Sequence, residues 1–202
     1  MGYQGAHARR SRAGVWLTGA LLVGAATAAL VGRGGSEATS APGSPAPASA
    51  VPTRAASVPV GNEPGRRAPD LEVPLAGGGR FRLSSELGRP IVIDFLAPGC
   101  IDCAGEVRTL TRMQEAFGDD GVAVLVVDVA GVTAERARSY YRSLGGGDLL
   151  YGEDVGFHAA RAYDVIALST TFVVDPGGVI VYRDDGPTPP ELLRAAIRRA
   201  LP

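Results

Sequence analysis

Cys100 and Cys103 are the only two cysteines among 202 residues, and two residues separate them. Just before them runs Ile91–Val92–Ile93–Asp94–Phe95–Leu96, with the composition of a strand buried on both faces. The run breaks at Pro98–Gly99. Residues 103–117 then read as a helix, because Val107, Leu110, Met113 and Phe117 recur at spacings of three and four. A strand thus delivers a Cys-x-x-Cys pair to a helix N-terminus, where the positive end of the helix dipole favours a thiolate. Cys100 is the expected attacking sulfur, and Cys103 the resolving one.

Three chemistries are open to such a pair. A purely structural bridge between residues three apart closes a tiny loop and removes little entropy from the unfolded chain. A structural zinc site wants four ligands, and beyond the cysteines the chain has two histidines, His7 and His158. Dithiol–disulfide exchange needs only the pair and its helix, and is the preferred reading; a metal or iron–sulfur site is the alternative.

Carboxylates surround the pair. Asp94 lies six residues before Cys100 inside an apolar run, where a buried carboxyl has a raised pKa and is suited to accept the Cys103 proton. Glu106 follows Cys103 by three, on the same helical face. Asp102, between the cysteines, opposes a second negative charge and favours a reductant. Solvated first-turn acids are the plainer reading of Glu106 and Asp102.

Around this core the chain divides by composition. Residues 1–12 carry Arg9, Arg10 and Arg12, and 13–31 form an uncharged apolar run. That length approaches the ~20 residues of a membrane-crossing helix, and the arginines place the N-terminus in the cytoplasm. A cleaved signal peptide is the alternative. Residues 32–66, rich in Ala, Pro, Ser and Gly, read as a disordered tether, and 67–202 as the folded domain. A single-pass anchor with the catalytic domain extracytoplasmic follows. The formal net charge of −1 gives no reason to expect nucleic-acid binding.

Within the domain, two short strands flank Gly77–Gly78–Gly79, and Ser84 is expected to cap a brief helical turn. Residues 122–129 form a second fully buried strand. Thr133 and Asp154 are expected to cap helices, and 170–175 and 179–183 make a hairpin across Pro176–Gly177–Gly178. Pro189–Pro190 opens a last helix. The order predicts an α/β fold, with a central mixed β-sheet flanked by helices and a right-handed parallel crossover.

Four segments together resemble the membrane-anchored TlpA/ResA-type thioredoxin-like proteins. They are Ala68–Pro69–Asp70–Leu71, the stretch from Leu83 to Phe95, Cys100–Ile101–Asp102–Cys103–Ala104–Gly105–Glu106, and Ser169–Thr170–Thr171–Phe172–Val173–Val174–Asp175. The resemblance implies a thioredoxin-like (redoxin) fold and a redox-active disulfide with no other cofactor and no metal. It also implies reduction of protein disulfides such as those of apocytochrome c, with electrons from a CcdA/DsbD-type membrane protein. Cys100, Cys103, Glu106 and Asp94 take the catalytic places, and Ser169, Thr170, Pro98 and Gly99 the substrate-binding ones. Three positions depart from the pattern. Leu96 and Gly99 stand where the family often has Trp, and Ser169 stands at its cis-proline. A cis bond before a non-proline residue costs roughly 2.5–4 kcal/mol, so a trans bond is expected there; Ser169 is also placed to bond a cysteine sulfur.

A thiol peroxidase would need Thr at position 97, which is Ala97. A copper-delivery protein of the SCO type would use one more residue between its cysteines and a distant histidine. His158 is read as structural or superficial, and the tyrosines, Tyr140 included, as packing.

Overall fold

A computed structural model describes residues 57–202, so the expected anchor and most of the expected tether lie outside the described residues. No helix among the described residues is long and apolar enough to cross a membrane.

A small hairpin comes first, β1 (Glu72–Pro74) antiparallel to β2 (Arg80–Arg82), followed by the single-turn α1 (Leu83–Glu86). Ser84 does not cap that turn with its own side chain. The Asp70 carboxylate does so from 14 residues away, accepting from the Ser84 N–H and hydroxyl, both at 2.9 Å. Before the hairpin, Gly61 N–H donates to Arg67 O and Gly65 N–H to Ile180 O. Ordered structure therefore begins several residues ahead of the boundary at 67.

The central sheet has the strand order β5-β4-β3-β6-β7. β3 (Ile91–Leu96), β4 (Ala123–Asp128) and β5 (Leu150–Glu153) run parallel, while β6 (Thr170–Val174) and β7 (Ile180–Asp184) run antiparallel to their neighbours. Every residue of β3, β4 and β6 is buried, as their unbroken apolar runs require. The strand after residue 148 falls slightly later than the 148–151 expected.

Residues alternate across the sheet and separate two cores. On one face Val92, Leu96, Val124 and Val126 pack against α2 (Cys103–Phe117), α3 (Ala134–Ser143) and α5 (Pro190–Ala200). On the other, Ile91, Ile93 and Phe95 pack against the hairpin and Tyr163, which follows α4 (His158–Ala162). Asp94 shares the parity of Val92 and Leu96, so it faces the layer that holds α2. The Asp154 carboxylate accepts the N–H groups of Ala159 and Ala160 at 2.9 and 2.7 Å, capping α4 as expected. Thr133 accepts from Arg136 N–H at 3.4 Å at the start of α3.

Candidate active site

β3 ends at Leu96, and three residues carry the chain to Cys100. Gly99 makes the bend at φ 87°, a left-handed conformation that glycine adopts without cost. A side chain of any size there meets a backbone penalty, which accounts for glycine in a place where Trp is common. The Gly99 N–H donates to the Tyr140 hydroxyl at 2.9 Å, so α3 holds the loop. Composition had marked Tyr140 as packing only; nothing in its sequence surroundings signals this contact.

Cys100 and Cys103 are joined in a disulfide with Cα atoms 5.4 Å apart. Cys100 is partly exposed and Cys103 fully buried at the first position of α2. The Cys103 sulfur sits 3.1 Å from the Ala97 carbonyl oxygen. That contact becomes a hydrogen bond only when the bridge is reduced, because a disulfide sulfur carries no proton. Ile101, between the cysteines, is 96% exposed, and Asp102 is also exposed.

Cys103, Glu106, Val107 and Leu110 form the buried stripe of α2. Glu106 is 3% exposed, so it is not a solvated first-turn acid. Its Oε2 accepts the backbone N–H of Thr188 at 3.2 Å, and its Oε1 has no hydrogen-bond partner among the described residues. Asp94 is fully buried; its Oδ2 accepts the Thr171 hydroxyl at 2.6 Å, while its Oδ1 is likewise unpartnered. The Thr188 hydroxyl donates to Thr171 Oγ1 at 2.9 Å, linking the two carboxyls through a pair of threonines. Burial, then the charge of Glu106, holds the Asp94 carboxyl well above its ordinary value. Burial also pushes Glu106 up to about 7, against the lowering effect of the Thr188 N–H.

Ser169 stands just before β6. Thr170 pairs with Phe95, which sets Ser169 level with the end of β3. The Leu168–Ser169 peptide bond is cis, contrary to the trans geometry expected from sequence. That expectation came from the preference of a free peptide, whereas contacts on both sides fix the backbone here. The Ser169 hydroxyl donates to Gly186 O at 3.2 Å, rather than bonding a cysteine sulfur, and the Thr170 hydroxyl reaches back to Ala167 O at 2.7 Å. Both side chains are buried, whereas the preceding Leu168 is exposed. Pro98 is partly exposed and Gly99 exposed, in the loop that leads to the disulfide.

His158 opens α4 on the exposed surface beside Arg161. No group of three or more His, Cys, Asp or Glu residues among the described residues could hold a metal ion. Thr171 and Thr188 were not singled out by sequence; only the fold brings them to residues 77 and 82 positions away.

A Cys-x-x-Cys disulfide at the head of a helix, on a mixed sheet of this topology, defines a thioredoxin-like thiol–disulfide oxidoreductase. Residues 64–183 match the AhpC/TSA family, and the chain belongs to that family. It is 27% identical over 123 residues to the thioredoxin-like protein YneN of Bacillus subtilis, covering 60% of this chain and 71% of that one. It is 23% identical over 142 residues to the thiol-disulfide oxidoreductase ResA of Bacillus thuringiensis, covering 69% and 80%. A Chlorobium tepidum structure assigned as a thiol:disulfide interchange protein DsbE aligns with TM-score 0.62 and 25% identity, over 72% of this chain and all of that one. A bacterioferritin comigratory protein of Xanthomonas campestris, described with alkyl peroxide reduction activity, shares the fold at TM-score 0.56 and 19% identity, over 65% of this chain and 92% of that one. Ala97 supplies no hydroxyl where a thiol peroxidase needs threonine, and its carbonyl instead faces Cys103.

Proposed function

We propose that this protein is a membrane-anchored, extracytoplasmic reductant of protein disulfides, of the cytochrome c maturation type, fed with electrons by a CcdA/DsbD-type membrane protein. The observation that carries the reading is a disulfide between a partly exposed Cys100 and a buried Cys103, with two buried carboxyls, Asp94 and Glu106, on the strand and helix that flank it. In the reduced protein the Cys100 thiolate attacks a partner disulfide. A Cys100–partner bond forms, and the partner's other sulfur leaves as a thiolate that takes a proton from water. Cys103 then gives up its proton, and its thiolate attacks the Cys100 sulfur. The internal disulfide forms, the second partner sulfur leaves, and two electrons have passed to the partner. Asp94 supports this as the acceptor of the Cys103 proton, because burial raises the proton affinity of its carboxyl. Membrane tethering at 13–31 and reach through the following linker are supported by composition alone.

The test is a reduced full-length chain mixed with an oxidised peptide containing Cys-x-x-Cys-His, a haem-attachment sequence. Conversion of the peptide disulfide to two thiols, with formation of the Cys100–Cys103 bridge, is expected, and Cys103→Ser is expected to trap a Cys100–peptide disulfide. A trapped adduct on Cys103 rather than Cys100, or no transfer to any disulfide peptide, contradicts the reading.

A further inference from the structure

Residues 97–102, which lead into the disulfide, are tied to the fold sparsely. Their backbone bonds are local: Cys100 N–H donates to Ala97 O at 3.3 Å, and Cys103 N–H to Cys100 O at 3.4 Å. Gly99, Ile101 and Asp102 are exposed, and Cys100 is only partly buried. Among the described residues, one hydrogen bond joins 97–102 to a distant element, from the Gly99 N–H to the Tyr140 hydroxyl at 2.9 Å. The tyrosine itself is firmly seated. Its ring meets that of the buried Tyr141 edge to face at 5.4 Å, and the Tyr141 hydroxyl donates to Asp128 Oδ2 at 3.3 Å. Asp128 ends β4 as the register partner of Leu96, the last residue of β3. The Tyr140 hydroxyl is thus built on the same strand ends that deliver the cysteines.

We propose that Tyr140 is a positioning residue for disulfide closure, holding Cys100 at the head of α2 when the bridge is open and so lowering the potential of the pair. The inference rests on the exchange reading above and extends it. In the oxidised chain the bridge already fixes Cys100, its Cα 5.4 Å from that of Cys103, and the Gly99–Tyr140 bond forms with little further ordering. In the dithiol, and in the Cys100–partner disulfide, that covalent closure is gone. The same bond then has to order the loop against its entropy. It is therefore stronger with the bridge closed. Linkage makes the effect reciprocal: whatever the bridge adds to the hydrogen bond, the hydrogen bond adds to the bridge. The chemistry of closure is unchanged. The Cys103 thiolate attacks the Cys100 sulfur, the Cys100–Cys103 bond forms, and the partner's sulfur leaves with the electron pair. Tyr140 raises the effective concentration of one sulfur at the other.

The hydroxyl carries the effect, since a phenyl ring in the same place would pack alike on Tyr141 and offer Gly99 no acceptor. Without it the Gly99 N–H would turn to water, and the bend at φ 87° would be held only by its chain neighbours. Tyr140 acts through the Gly99 backbone, so it is not a catalytic residue. Tyr151 supplies a matched comparison: its hydroxyl donates to Gly147 O at 3.2 Å, in the loop after α3.

The test equilibrates the full-length chain with a dithiol buffer set to a series of poises and counts free thiols. Tyr140→Phe is expected to weaken closure about threefold to tenfold, tenfold being about 30 mV, and to move the potential upward. Tyr151→Phe is expected to leave the potential in place. Urea unfolding of both redox forms closes the cycle. Tyr140→Phe should destabilise the oxidised chain more than the reduced one, by the same factor. An unmoved potential, an equal shift in Tyr151→Phe, or equal destabilisation of the two forms overturns the inference and leaves the exchange reading standing. A wild-type chain with no reversible couple overturns both. Hydrogen exchange at the Gly99 amide of the unmodified chain avoids any folding defect in the variants. Protection in the oxidised chain is expected, weakening about threefold to tenfold but persisting in the dithiol. Exchange at the free-peptide rate in the oxidised chain, or equal protection in both forms, overturns the inference.

Discussion

The Thr171 hydroxyl donates to Asp94 Oδ2 at 2.6 Å across the β3–β6 pairing, where the two residues are direct antiparallel partners. This bond orients a carboxyl that the sheet buries completely, and leaves its second oxygen free. Thr171→Val keeps the shape and removes the donor. The oxidised chain should lose about 1–3 kcal/mol, the cost of an unsatisfied buried polar group, read from urea unfolding at fixed pH. No loss would mean that the hydroxyl is not the partner that satisfies Asp94.

Glu106 gives a pH signature with a definite sign. Its folded value of about 7 lies above its ordinary value of 4.5, so the folded state binds the proton more tightly than the unfolded chain does. The stabilisation is full below about pH 4.5 and is lost as pH rises through 7. Its size is about 3 kcal/mol, and Asp94 is raised in the same direction. Relative to Glu106→Gln, the wild-type chain should therefore lose about 3 kcal/mol between pH 4.5 and pH 7. Parallel stability curves for the two would contradict the burial of this carboxyl.

Gly99 isolates a backbone effect. Its φ of 87° is left-handed, and a Cβ added there meets nothing within 4 Å. Gly99→Ala should cost about 1 kcal/mol through conformation alone, measured by thermal or urea unfolding. The Cys100 attack rate should change with it, because the same bend carries the attacking sulfur. An unchanged stability would mean that the loop relaxes to an ordinary φ.

Cys100 and Cys103 should be unequal towards an alkylating reagent. In the reduced chain Cys100 should be modified first, and Cys103, fully buried, far more slowly. Mass spectrometry of a partially alkylated sample checks the order, and equal labelling would contradict the burial.

The parts of this account that could be read in the sequence are those carried by local pattern. The apolar runs at Ile91–Leu96 and Ala123–Asp128 announce buried strands, and the spacing of Val107, Leu110 and Met113 fixes the inner face of α2. Cys103 and Glu106 then fall on that face by arithmetic. Contacts between distant residues were not legible. Thr188 reaches Glu106 across 82 residues, and Asp70 caps α1 in place of Ser84, because tertiary packing offered a better acceptor than the local hydroxyl. Tyr140 is one tyrosine among six, and only the docking of α3 gives it the Gly99 N–H. The cis bond at Ser169 ran against local preference, and the contacts of Ser169 and Thr170 exist only in the folded chain.

The midpoint potential of the Cys100/Cys103 couple in the full-length chain tests the central claim most directly. Equilibration against a dithiol buffer of known poise, read by quantifying free thiols, supplies it. The account predicts a reversible two-electron couple near or below the ~−270 mV of thioredoxin, as a reductant of protein disulfides requires. A potential near the ~−120 mV of strong oxidants, or no reversible couple, would contradict it.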